Sequence, residues 1–196
     1  MEYLYYLLAY LMGSVSFSYL LVKLFKNEDV RNKGSKNAGG TNVIRVYGWK
    51  LGLPVAILDI FKGVFVSFIF KKYDLGYPVV ALFFAVLGHC YPIFMKFKGG
   101  KGIATTAGGF TFLFLNAFPF GLAMFAGLAI LTGYVSVASI YMVFTTAVFI
   151  ISTYTLEKIE IAAIVGIFLL AIVRHNSNIK RLIRREENQF RFGGNQ

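Results

Sequence analysis

GIATTAGGFTFLFLNAFPFGLAMFAGLAILTGYVSVASIYMVFTTAVFIISTYTL, residues 102 to 156, carries no charged residue. How this stretch divides decides the fold. At about 1.5 Å per residue it holds either two long apolar helices or three joined by tight turns. Asn116-Ala117-Phe118-Pro119 and Thr132-Gly133 both read as breaks, which favours three. On its N-terminal side stands Lys96-Phe97-Lys98-Gly99-Gly100-Lys101, and on its C-terminal side Glu157-Lys158-Ile159-Glu160 leads into a last apolar run, Ile161–Val173. A basic tail with Arg174, Lys180, Arg181, Arg184, Arg185 and Arg191 follows.

Upstream, Tyr3–Val22 is an uncharged run long enough to cross a hydrocarbon core. No basic segment precedes it and no small-residue cleavage pattern follows, so it is expected as a retained helix rather than a removed signal. The loop Lys23–Lys50 is rich in Lys and Arg. Leu51–Phe70 is a second span holding Asp59 and Lys62, and Tyr77–Met95 a third holding His89, Cys90 and Pro92. If basic flanks stay cytoplasmic, the first loop, the lysine loop and the tail share one side. An even number of spans must then separate the lysine loop from the tail, which three helices plus the last one satisfy. The expectation is an all-α, polytopic integral membrane bundle of seven transmembrane helices, N-terminus outside and C-terminus cytoplasmic. Residues 1–196 form a single domain.

The totals agree with a bilayer. The 196 residues are 57% hydrophobic and 15% charged, against about 25% charged in soluble domains, and the mean hydropathy is +0.65. The net charge of +11 is concentrated in short loops, so membrane orientation explains it without nucleic acid. A single cysteine, Cys90, excludes an intramolecular disulfide and a multi-cysteine metal site.

Three polar patches carry the candidate chemistry. Gly34-Ser35-Lys36-Asn37-Ala38-Gly39-Gly40-Thr41-Asn42-Val43-Ile44-Arg45 combines glycines, side-chain donors and two cations, the parts of an anion-binding nest. Phe97–Thr105 resembles a phosphate loop but fails the Walker pattern, with Met95 where its first Gly belongs and Gly102 where Ser or Thr follows the Lys. ATP hydrolysis is therefore unsupported. Glycines flanked by lysines at a helix start still suit an anion, and a positive-inside anchor with a flexible turn is an equal reading. In the third patch, Arg174–Arg181, a helix places His175 and Asn178 on one face. His175 is a general base, a phosphate donor or simply an interfacial residue, and taken alone the last is preferred. Asp59 and Lys62, one turn apart, read as a structural pair, as does His89 within its span. Ser136 and Ser139 serve helix packing or close an anion site.

No nucleophilic arrangement, metal cluster or His-x-x-x-x-Asp pattern of acyl-CoA-dependent acyltransferases occurs, so no metal and no cofactor is expected. Binding and electrostatics must carry any catalysis.

Gly34–Asn42, Gly88-His89-Cys90-Tyr91-Pro92 running to Lys98-Gly99-Gly100-Lys101-Gly102, and Arg174-His175-x-x-Asn178-Ile179-x-Arg181-Leu182 occur in that order. With Asp59-Ile60-Phe61-Lys62-Gly63 and Tyr134-Val135-Ser136-Val137-Ala138-Ser139 they make the chain resemble the bacterial acyl-phosphate:glycerol-3-phosphate acyltransferases over nearly its whole length. Gly40 departs from a common Ala, and Gly133 from a basic residue. The resemblance implies seven helices in the bacterial plasma (inner) membrane and a cytoplasmic active site. It also implies transfer of a fatty acyl group from acyl phosphate to the 1-hydroxyl of glycerol 3-phosphate, giving lysophosphatidic acid and phosphate. Ser35, Arg45, Lys101, His175 and Asn178 would surround glycerol 3-phosphate. Ser139, Thr41, Asn42 and the loop Lys98, Gly99 and Gly100 would help hold the acyl phosphate.

The donor is already activated, so direct attack without an acyl-enzyme suffices, and cations offset the repulsion between two phosphates. A transporter of organic phosphates would use the same basic lips, but its polar groups belong at the midplane rather than crowded at one face. A lipid-binding adaptor would not need Ser35 or Asn178. Acyl-chain preference, oligomeric state and the proton acceptor are not legible in the sequence.

Overall fold

The computed structural model describes residues 2–189. Ten α-helices and two short 3-10 turns, Val30–Asn32 and Ile93–Met95, make up the regular structure, with no strand among the described residues. The uncharged stretch folds as three helices: α6 (Ile103–Leu113), α7 (Ala117–Thr132) and α8 (Val135–Thr153). They part at Phe114–Asn116 and at Gly133, whose φ of 72° a side chain would disfavour.

The first apolar run is not one continuous helix, as the sequence suggests. It breaks between α1 (Glu2–Gly13) and α2 (Phe17–Lys26). Ser14 turns its hydroxyl back onto the Tyr10 carbonyl at 2.9 Å, and Ser16 caps α2 by accepting from the Tyr19 amide. Gly13 meets the Ala85 backbone so closely that a Cβ would overlap it. A short α3 (Gly40–Tyr47) precedes α4 (Trp49–Tyr73). α5 (Pro78–Cys90) has Pro at its first position and stops short of Pro92, so this helix is shorter than the Tyr77–Met95 run. α9 (Lys158–Arg174) reaches back to a capping box, in which Glu160 accepts from the Glu157 amide at 3.0 Å. It bends by 52° at His175 into α10 (Asn176–Ile183).

α5 is the axis of the bundle. Leu82, Ala85, Val86 and Cys90 on it are fully buried against Phe110, Ile150, Ile164 and Ile167. Gly63 on α4 and Gly108 on α6 let those two helices touch backbone to backbone. Around this core Leu7, Ile57, Phe61, Phe144, Leu169 and Leu131 face outward. Four helical segments are long and apolar enough to cross a membrane, and α9 with α10 makes a fifth if counted as one bent span. α6 and α7, at 11 and 16 residues, fall below that length.

Candidate active site

The three polar patches meet at one end of the bundle around a cavity of about 630 Å³. Among the predicted residues Ser35, Lys98, Gly99, Lys101 and Asn178 line it, from the loop before α3, the loop before α6, and α10. Lys101 donates from Nζ to Asn178 Oδ1 at 2.6 Å, which ties the second patch to the third. Burial pushes the Lys101 ammonium down to about 8. The Glu187 carboxylate opposes this, while Arg181, Arg45 and Arg174 add to it.

The glycine loop is held open by an arginine fork. Arg174 donates from Nε to the Gly100 carbonyl and from Nη2 to the Gly99 carbonyl, each at 2.9 Å, and its guanidinium lies 4.9 Å from the Tyr91 ring centroid. With those carbonyls turned to Arg174, α6 begins after Gly102 at φ 81°. Lys96 and Phe97 both adopt left-handed backbone conformations in the turn before the glycines, an arrangement kept where the surroundings enforce it.

The other predicted residues sit off the cavity wall. Asn42 is buried and spent within its own loop, accepting from the Ser35 amide at 2.8 Å and donating to the Val30 and Lys33 carbonyls. The Ser35 amide is therefore already taken, and the nest expected from the glycines is in part a loop tied by one carboxamide. Thr41 and Arg45 lie exposed on α3. Gly100 is off the wall, between Gly99 and Lys101, which are on it. Ser139 returns its hydroxyl to the Val135 carbonyl at 2.7 Å. Ser136, one turn earlier, is the serine of that pair that joins the network, donating to Glu187 at 2.9 Å.

His175 is buried at the α9–α10 bend. Its Nδ1 lies 2.7 Å from the Ala171 carbonyl, which assigns the proton to Nδ1 and leaves Nε2 an acceptor. Burial, together with the Lys101 charge, pushes this imidazole down to about 4, so it is neutral at pH 7.

Sequence reasoning missed three contributors. Arg174 was read within the third patch and its motif, but without a role of its own. Glu187 accepts from Asn178 at 2.6 Å and from Arg181 at 2.7 Å. Burial pushes its carboxyl up, but these bonds and the one from Ser136 outweigh that and hold it below its usual range. Arg31, another cavity residue, is paired with Asp29 and donates to the Met95 carbonyl at 3.0 Å, fastening the first loop to the second. A carboxylate among many cations, and an Asp two residues before an Arg, were the available signals.

Comparison with known proteins gives one answer. The family model for glycerol-3-phosphate acyltransferase matches residues 3–185. A glycerol-3-phosphate acyltransferase of Fusobacterium nucleatum is 41% identical over 187 residues, covering 94% of this chain and 96% of that one. One of Thermosipho melanesiensis is 38% identical over 96% and 93% of the two chains. The crystal structure of PlsY, an integral membrane glycerol 3-phosphate acyltransferase, in its glycerol 3-phosphate form superposes with a TM-score of 0.89. It is 34% identical, and the match covers 97% of this chain and 96% of that one. Its lysophosphatidic acid form gives a TM-score of 0.83 at 33% identity. The chain belongs to the glycerol-3-phosphate acyltransferase family.

Proposed function

We propose that the chain is an acyl-phosphate-dependent glycerol-3-phosphate acyltransferase. The observation that carries this reading is the convergence of Ser35, Lys98, Lys101, Asn178, Arg174 and Arg181 on one cavity. Such a wall suits two phosphates better than one thioester carrier, because its cations offset repulsion between dianions as they approach. Ser35, Lys101 and Asn178 hold glycerol 3-phosphate, with Arg45 and His175 close behind. Lys98 and the Gly99 backbone hold the acyl phosphate, and Gly100, Thr41, Asn42 and Ser139 act through the shape of the surrounding loops. Arg31, on the cavity wall, lies over the Tyr19 ring at 5.5 Å. Tyr19 also lines an apolar groove with Leu20, Leu21 and Leu24, and there the acyl tail stays out of water.

In the reaction the 1-hydroxyl oxygen attacks the acyl carbonyl carbon. The bond from that carbon to the phosphate oxygen breaks, and phosphate leaves with the electron pair. The hydroxyl proton passes to the departing phosphate, itself a base. His175, although its Nε2 is left an acceptor, stands off the cavity wall. Cys90 is buried and does not line the cavity, and direct transfer asks for no protein nucleophile. Products are lysophosphatidic acid and phosphate.

The whole chain acts as one domain in the bacterial plasma membrane. Seven apolar elements cross or enter the bilayer, counting α1 with α2, then α4, α5, α6, α7, α8 and α9. The N-terminus is outside, and the basic loops and the site face the cytoplasm. Rapid quenching of the protein with acyl phosphate labelled in its acyl chain tests the direct route. Label appears only in lysophosphatidic acid and only when glycerol 3-phosphate is present. A chemically stable acyl-protein formed at the rate of turnover would replace this route with a two-step one.

A further inference from the structure

Beneath the glycine loop, inside the bundle, lies a cluster of charge that the chemistry above does not use. Asp59 and Lys62 on α4 and His89 on α5 are all buried. Lys62 Nζ stands 3.0 Å from Asp59 Oδ1 and 2.7 Å from His89 Nδ1. It also donates to the Gly13 and Val15 carbonyls, at 3.1 Å each, where the first apolar run breaks between α1 and α2. Its three N–H groups are shared among these two carbonyls, the Asp59 carboxylate and the imidazole, and an ammonium has no lone pair with which to accept. His89 Nδ1 is thus an acceptor, and the proton sits on Nε2.

That Nε2 faces the glycine loop. A methyl group on Gly100 would overlap it, and would come within 2.8 Å of the Ala38 carbonyl in the first loop. The Gly100 amide donates to the His89 carbonyl at 3.0 Å. Gly100 is therefore gripped from below by His89 and from above by Arg174, and Lys101 is the next residue. A buried ion pair is a weak source of stability, since apolar replacements often match it, so stability alone does not account for three such groups in one place.

We propose that His89 and Lys62 are positioning residues for the substrate phosphate. The imidazole, held by the ammonium, sets the height of the Gly99–Gly100 backbone and with it the reach of the Lys101 side chain into the cavity. This inference rests on the proposed function, because it takes Lys101 to be a phosphate ligand.

A double-mutant cycle between His89 and Lys101, read as the calorimetric Kd for glycerol 3-phosphate in lipid nanodiscs, tests it. His89→Leu and His89→Asn are each expected to weaken binding about tenfold in the wild-type background and by less than about twofold in a Lys101→Met background. Their thermal midpoints stay near that of the wild type. Equal losses in both backgrounds, unchanged binding by the folded variants, or failure of both His89 variants to fold would overturn the inference. Wild-type protein that does not bind glycerol 3-phosphate would overturn the proposed function itself. Wild-type binding with unaffected His89 variants removes only the positioning role.

Discussion

Lys101 concentrates the electrostatics of the site in one side chain. On the proposed reaction, removing it leaves two phosphates to approach without the cation between them, so Lys101→Met is expected to lower kcat/KM by about 10²–10³. Melting of the purified variant should change little. The same burial gives the pH dependence a sign. The ammonium is lost as pH rises through about 8, so kcat/KM falls on the alkaline side, and steady-state rates from pH 6 to 10 read it directly. Stability moves the opposite way. The folded value of about 8 lies below the ordinary 10.5, so between these the unfolded chain binds more protons, and the group's contribution to stability rises with pH across that window. Arg174→Lys tests the fork. One ammonium cannot reproduce two parallel N–H bonds and a stacked plane, so a loss of about tenfold in kcat/KM is expected from initial rates. The cavity residues were legible where glycines clustered with lysines, and in the Asn178 motif. Asn42 and Ser139 were not, because a carboxamide or a hydroxyl bonds its own backbone as readily as a ligand, and spacing does not distinguish the two.

At the scale of elements, helix contact depends on glycines that bring backbones together. Gly63 lies on the Thr105 carbonyl, so Gly63→Val forces α4 and α6 apart at a cost of about 1–3 kcal/mol, visible as a lowered thermal midpoint in detergent. Gly127 on α7 has open space where a Cβ would stand. Gly127→Ala should leave the midpoint unchanged or raise it, with up to about 1 kcal/mol from helix propensity. Helix existence was legible from charge and punctuation, as the Asn116 and Gly133 breaks illustrate. The interruption at Ser14–Ser16 was not. Its cause is tertiary: Gly13 packs on Ala85, and Lys62, distant in sequence, takes the freed carbonyls. His89 joining the Asp59–Lys62 pair was hidden for the same reason, since nothing local relates α4 to α5.

The whole molecule turns on two loops and α10, from distant parts of the chain, sharing one cavity. Cys90, the native cysteine, is buried, so single cysteines can be introduced against a quiet background. Ser35→Cys and Ser177→Cys should react with an impermeant maleimide from the cytoplasmic side of sealed vesicles, and Lys158→Cys only from the other. The central claim is that this face brings two phosphates together so that one leaves as the acyl group moves. Released phosphate measures this most directly, using purified protein in lipid supplied with glycerol 3-phosphate and either acyl phosphate or acyl-CoA. The account predicts phosphate and lysophosphatidic acid in equal amounts from acyl phosphate and no product from acyl-CoA. Turnover with acyl-CoA, or none with acyl phosphate, would contradict it.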